Sequence, residues 1–133
     1  MDLSSTPVAP DHILHRLNYR EVESSAERLV MEMDNRPDLT NVRGALQGGL
    51  LATLIDITAG ILAGRASGAG YDVTTADLNI HFLAPVLGTA RAEATVVRAG
   101  KRLIVTAVDV TDVSRNRLTA RATLTFAVLE PRP

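Results

Sequence analysis

Asn41-Val-Arg-Gly-Ala-Leu-Gln-Gly-Gly-Leu-Leu-Ala-Thr-Leu-Ile-Asp-Ile-Thr-Ala-Gly-Ile-Leu-Ala63 is the stretch that decides the fold. From Leu50 to Ala63 it is apolar on nearly every side, the pattern of a helix buried all round. The run is shorter than the about 20 apolar residues a bilayer span needs, so it reads as a core helix. Asp56 is its one charge. Gly49, Ala52, Thr53, Ala59, Gly60 and Ala63, all small, share the helical face of Asp56, and Leu50, Leu51, Leu54, Ile55, Ile57, Ile61 and Leu62 fill the others. A carboxylate in such a trough is costly to bury unless it is paired or used. The helix opens on Gly48-Gly49, where free N–H groups and the positive end of the helix dipole can receive an anion or a developing oxyanion. Two readings stand side by side. The glycines can serve only to turn the chain sharply, with Asp56 in a buried ion pair, or the two features can be the parts of a catalytic site.

Outward from this helix the period changes. Downstream, Val73–Leu83 sets Leu78, Ile80 and Phe82 against Asp77, Asn79 and His81, and Thr89–Arg98 groups Ala90, Ala92, Ala94 and Val96. Gly100-Lys101 reads as a hairpin tip, followed by a Val-rich strand from Leu103 to Thr111, a turn at 114–117, and a strand from Leu118 to Leu129. Upstream, Leu29, Met31 and Met33 alternate as a strand over Glu27–Met33, and Asp11 can cap a short helix reaching Leu17 through Ile13 and Leu14. Gly64, Gly68 and Gly70 are placed to end the long helix near Ala63–Ser67. One apolar helix and five antiparallel strands make an α+β domain in which the sheet curls around the helix. It spans residues 11–130, with a loose tail at 1–10 and a short one at 131–133.

The chain has 133 residues, 46% of them hydrophobic and 22% charged, which suits a single globular domain. A net charge of −1 without a basic, aromatic-laced stripe argues against nucleic-acid binding. With no cysteine there is no disulfide, thiol nucleophile or cysteine-ligated metal. No apolar signal core or membrane segment is legible, so a cytoplasmic protein free of membranes is expected. There is no Gly-x-Ser-x-Gly elbow and no phosphate-binding loop with Lys-Ser/Thr. The histidines, His12 and His15 on a surface helix and His81 on the outer sheet face, are not spaced with carboxylates as a metal site. What remains is Asp56 and the helix start.

Gly48 and Asp56 lie eight residues apart, about 12 Å along an α-helix at about 1.5 Å per residue. A general base must come within about 3 Å of its target, directly or through one water. One chain therefore cannot bring both to one reaction centre, whereas two antiparallel helices related by a two-fold axis can. The small face around Asp56 permits that approach, so the expected site is shared between subunits of a homo-oligomer. Arg98, Lys101 and Arg102 cluster at the hairpin, either as a solvated turn or as partners for the phosphates of a nucleotide.

The run Asn41, Gly44, Gln47-Gly48-Gly49, Leu54, Asp56 resembles the signature of hotdog-fold acyl-CoA thioesterases, in the branch of the phenylacetate-pathway enzyme and its small eukaryotic relatives. The resemblance continues through Thr75–Pro85, Val97–Leu103 and the last long strand, covering roughly residues 12 to 129, with Gln47 in place of the family's histidine. It implies a hotdog fold in a dimer or dimer of dimers and hydrolysis of acyl-CoA thioesters with no cofactor and no metal. On that reading the Gly48 amide polarises the thioester carbonyl, flanked by Gly49. Asp56 of the partner acts as general base or as nucleophile, and Asn41 orients the water or the thioester.

Thr75 falls where relatives carry a hydroxyl that holds the water. Simple alternation puts it opposite Leu78 and Ile80, so a β-bulge is needed to turn it inward. Gln47 can brace the loop through its amide, which both donates and accepts, but it cannot supply a proton. The rival class is a non-catalytic acyl-CoA-binding domain, which Gln47 favours. A dehydratase would need an Asp/His pair near a helix start, which is missing.

Overall fold

The computed structural model describes residues 9–68 and 72–130; residues 1–8 of the expected N-terminal tail, the whole expected C-terminal tail at 131–133, and Gly70 lie outside them. A 3₁₀ turn (Ile13–Arg16) leads into strands β1 (Arg20–Ser24) and β2 (Arg28–Asp34), then helix α1 (Gly48–Ala66). Four longer strands follow: β3 (Asp72–Phe82), β4 (Thr89–Ala99), β5 (Leu103–Asp112) and β6 (Arg117–Leu129). All pair antiparallel in one six-stranded sheet of order β1-β2-β4-β5-β6-β3. The helix packs across β2 to β6.

Helix and sheet meet through a division of sizes. Ala90, Ala92 and Ala94 on β4 and Ala120 on β6 are fully buried and small, which lets the helix sit close to the sheet. Leu54, Ile55 and Leu62 of α1, with Ile104, Leu124 and Phe126 beneath, fill the space between at the density of a protein interior. Gly60 faces the Phe126 ring, which lies 3.5 Å from where a Cβ would stand, an ordinary contact distance.

Three expectations about the helices are corrected. The helix runs for 19 residues, long and apolar enough by length and composition to cross a membrane, although it packs on the sheet. It is also not buried all round, because one sheet covers only one side of a helix. Ala59, Gly60 and Ala63 are buried, whereas Asp56, Ala52 and Thr53 are only half-buried and Gly49 is exposed. The small face is thus split into a packed half and an open half. The N-terminal helix is a single 3₁₀ turn capped by His12, whose Nδ1 accepts from the Leu14 amide at 3.1 Å, not by Asp11.

The sheet has six strands, not five. In β1 (Arg-Glu-Val-Glu-Ser) every residue is exposed, so no apolar alternation marks it. It is held by charge instead: Arg20 stands opposite Glu32, and Glu32 opposite Arg91. Arg20 and Arg91 both reach Glu32, at 3.3 and 3.2 Å. Such cross-strand pairs of opposite sign favour the register.

At the other end β3 pairs only with β6, leaving its outer edge open. Leu78 and Phe82 on it are 41% and 55% exposed. An edge strand of eleven residues with exposed apolar side chains is a template for pairing with another chain.

Candidate active site

The helix start is built by the loop before it. Asn41 closes a tight turn: its Oδ1 accepts from the amides of Arg43 at 2.8 Å and Ala45 at 3.2 Å, and its own amide donates to the Ala45 carbonyl at 2.7 Å. Gly44 takes a φ of +83° inside this turn, a conformation that glycine adopts without strain. The Leu46 and Gln47 amides tie the loop to Val86 and Leu39. Gln47 is the N-cap residue, but its exposed side chain makes no capping bond. The bracing expected of Gln47 is therefore supplied by Asn41, whose short side chain reaches two amides of its own turn.

The first helical hydrogen bonds back to Gln47 come from Leu50 and Leu51, so the Gly48 and Gly49 amides have no acceptor within the helix. Gly48 borders a cleft of about 350 Å³ whose lining includes Asn41, Leu51, Phe82, Pro85 and Val86. The Phe82 ring stands over Gly48, 3.7 Å from where a Cβ would be. Sequence reading assigned Phe82 only to a strand face. That it is one of two phenylalanines in a chain poor in aromatics was the available signal.

Asp56 is two turns further along the helix, on its open side, and Thr75 Oγ1 donates a hydrogen bond to Asp56 Oδ1 at 2.8 Å. Alternation alone would turn Thr75 away. The ladder between β3 and β6 slips between Thr75 and Asp77, and this β-bulge re-aims the strand there. Asp56 does not line the cleft at Gly48. The structure thus joins Thr75 to Asp56 and Asn41 to Gly48, and keeps the two pairs apart.

Arg98, Lys101 and Arg102 are exposed at the β4–β5 hairpin, and a second β-bulge lies between Val96 and Arg98. Lys101 and Arg102 line a cleft of about 430 Å³ with Ser67, just past the helix C-terminus, and Val128. Gly48 lies at the opposite end of that helix, 18 residues from Ala66, about 27 Å away along its axis. Within one chain the basic hairpin is remote from the glycine cleft. His81 is exposed on β3.

Two carboxylates that the sequence reading passed over hold the surrounding loops. Arg20 beside Asp34, with a hydrogen bond from Thr89, keeps the Asp34 carboxyl below its ordinary range. Asp112 is fully buried. Burial pushes its pKa up, but hydrogen bonds from the Leu87, Gly88 and Ser114 amides and the Ser114 hydroxyl outweigh that and hold it low. Asp34 lies outside any apolar pattern, whereas Asp112 takes the last inward position of β5 after Ile104, Thr106, Val108 and Val110; its place in that alternation was the available signal.

The description of the Thioesterase superfamily matches residues 43–119, more than half of the chain. The chain belongs to the Thioesterase superfamily. Acyl-coenzyme A thioesterase 13 of Mus musculus is 30% identical over 113 residues, covering 84% of this chain and 79% of that protein. A thioesterase family protein from Silicibacter pomeroyi superposes with a TM-score of 0.84 at 24% identity over 90% of each chain. A Bacillus halodurans protein whose crystal structure was determined with CoA is 31% identical, with a TM-score of 0.71, over 75% of this chain and 66% of that one. The one long helix wrapped by six antiparallel strands is the hotdog fold of these thioesterases, and by family the chain is a thioester hydrolase.

Proposed function

We propose that this protein hydrolyses acyl-CoA thioesters at a site assembled from two copies of the chain, each lending Asp56 and Thr75 to the glycine cleft of the other. The observation that carries this reading is the placement of Asp56 on the open side of the helix, held by Thr75 at 2.8 Å and away from the cleft at Gly48. A partner helix running antiparallel across the small residues Gly49, Ala52 and Thr53 closes that gap. The open edge of β3 supports the same pairing, and a dimer of dimers extends it.

On this reading the thioester carbonyl sits in the cleft with its oxygen toward the Gly48 amide, beside Gly49. Asp56 of the partner takes a proton from a water held by Thr75 while the oxygen of that water attacks the carbonyl carbon. Collapse of the tetrahedral intermediate breaks the C–S bond, and the CoA thiolate leaves and takes up a proton. The alternative, direct attack by Asp56 to give an anhydride, uses the same residues. Asn41 shapes the turn behind the carbonyl. The pantetheine arm leads toward cations, for which Arg98, Lys101 and Arg102 are the candidates. The relative named acyl-coenzyme A thioesterase 13 and the relative determined with CoA support this substrate class. The branch nearest the phenylacetate-pathway enzyme, with Gln47 replacing histidine, and a cytoplasmic setting belong to the same reading.

The test is a panel of aryl- and alkyl-CoA thioesters, followed by release of the free thiol. Turnover of at least one of them above the uncatalysed rate supports hydrolysis. The second reading, a non-catalytic acyl-CoA-binding domain, is favoured by the exposed, unbonded side chain of Gln47. It predicts saturable binding across the panel with no thiol release.

A further inference from the structure

The wall of the glycine cleft opposite the helix is Phe82–Val86, and it continues through Leu87 and Gly88 into β4. Residues 83–88 are irregular, so side chains and neighbouring strands must hold them. At one end the Leu83 and Ala84 amides donate to the Thr119 carbonyl, at 2.8 and 3.2 Å. At the other end the Leu87 and Gly88 amides donate to Asp112 Oδ2, at 2.9 and 3.4 Å. The second carboxylate oxygen, Oδ1, accepts from the Ser114 amide at 3.1 Å and its hydroxyl at 2.7 Å. Arg115 Nη1 lies 3.6 Å from Asp112 Oδ2. Asp112 thus collects four donors while fully buried at the end of β5.

From this joint the bonds run directly to the helix start. The Leu46 amide, two residues before Gly48, donates to the Val86 carbonyl at 2.8 Å. Asn35 bridges both sides: its Nδ2 donates to the Gly44 carbonyl at 3.0 Å and the Leu87 carbonyl at 3.5 Å, and its amide donates to the Gly88 carbonyl at 3.0 Å.

We propose that Asp112 is a positioning residue for this cleft: by clamping Leu87 and Gly88 it sets the spacing between the Phe82–Val86 wall and the Gly48 amide. The inference rests on the reading of the cleft as the thioester site, although Asp112 touches no part of it. The choice of residue follows from the donors. Four N–H or O–H groups converge on two oxygens, and only a carboxylate accepts at both. Asparagine keeps the shape but turns an N–H₂ toward some of the same donors. The turn then relaxes, and a shift of about 1 Å at the wall is enough to cost on the order of 10²-fold in rate.

The test compares Asp112→Asn, Gly88→Ala and Ser114→Ala in the full-length protein as purified. A Cβ at Gly88 would meet Ser114 Oγ at 2.5 Å and Asp112 Oδ1 at 3.2 Å, so Gly88→Ala disturbs the joint from the other side. Ser114→Ala removes one donor and leaves the bonds to Leu87 and Gly88. The readouts are kcat and KM on the best thioester, and hydrogen exchange of the Leu46 amide well below the melting transition.

Asp112→Asn and Gly88→Ala should lower kcat by about tenfold or more and speed Leu46 exchange by a similar factor, while Ser114→Ala stays within about twofold on both. A folded Asp112→Asn protein with lowered Tm but unchanged kcat and unchanged Leu46 exchange overturns the inference, because a purely structural role predicts that pattern. If Asp112→Asn fails to fold, Gly88→Ala decides on the same readouts. If the wild type hydrolyses no thioester, the proposed function fails on its own, and Leu46 exchange still decides the role of Asp112.

Discussion

Thr75 Oγ1 donates a hydrogen bond to Asp56 Oδ1 at 2.8 Å, across a β-bulge between Thr75 and Asp77. Without that bulge the hydroxyl would lie on the other side of the sheet, and the half-buried carboxylate would lack this donor. The bulge is therefore what turns an isolated acid on an apolar helix into an oriented one.

Asp56→Asn should retain the fold and lose thioesterase activity by about 10²-fold or more, as expected when a general base or nucleophile is removed. The substitution keeps size and the acceptor oxygen for Thr75, so circular dichroism and the elution volume should not change. Normal turnover by the folded variant would sink the assignment.

Thr75→Ala should lower kcat by about tenfold or more, since a hydrogen bond to a charged group contributes about 1.5–3 kcal/mol. Thr75→Ser keeps the hydroxyl and should stay near wild type. Equal losses in the two variants would point to the methyl group and its packing, not to the bond. Steady-state kinetics at saturating thioester separates these outcomes.

Gln47→His should change the rate less than about tenfold, a step of about 1.4 kcal/mol, because the Gln47 side chain makes no capping bond and Asn41 holds the loop. A silent wild type together with an active Gln47→His variant would support the binding-domain reading instead.

A mixture of Asp56→Asn and Gly48→Val chains should regain activity that neither has alone. Valine at 48 presses on the Phe82 ring and obstructs the oxyanion position. In a random mixture half of the dimers are mixed, each with one intact site of two, so recovery approaches about a quarter of wild type under two-fold pairing. The activity of the mixture is read after subunit exchange has been demonstrated by mass spectrometry. No recovery after exchange would place the whole site within one chain.

Stability should fall in acid through Asp112. Its folded-state pKa lies below the ordinary value, despite burial, because the Leu87, Gly88 and Ser114 groups bond the charged form. The folded protein therefore resists protonation more than the unfolded chain, whose aspartates titrate near about 3.9. The stabilisation is present above that pH and is lost as pH falls through the folded value. Melting curves should show the Tm advantage of wild type over Asp112→Asn shrinking progressively as pH falls from about 5 toward about 1. An advantage that is constant across that range would contradict the assignment.

The long helix and strands β2, β4, β5 and β6 were legible because each buries a face, and β3 because Leu78, Ile80 and Phe82 alternate with polar residues although most of the strand is exposed. Leu29, Met31 and Met33, or Ala90, Ala92 and Ala94, repeat at the period of their own element, and that period is local. The lone Asp56, the glycine pair and their separation were legible for the same reason, since spacing along one helix is set by helix geometry alone.

Strand β1 was not legible: its partners are Glu32 and Asp34 in sequence-distant positions, and ion pairs leave no hydrophobic period. The need for a bulge at Thr75 could be stated from alternation, but its presence depended on how β3 registers against β6. The exposure of the Asp56 stripe and the clamp of Asp112 on Leu87 and Gly88 likewise came from contacts between residues far apart in the chain. Sequence alone determined which elements form and which side chains could act; tertiary structure decided which of them meet, because register, sheet order and loop closure are settled by long-range packing that no local pattern encodes.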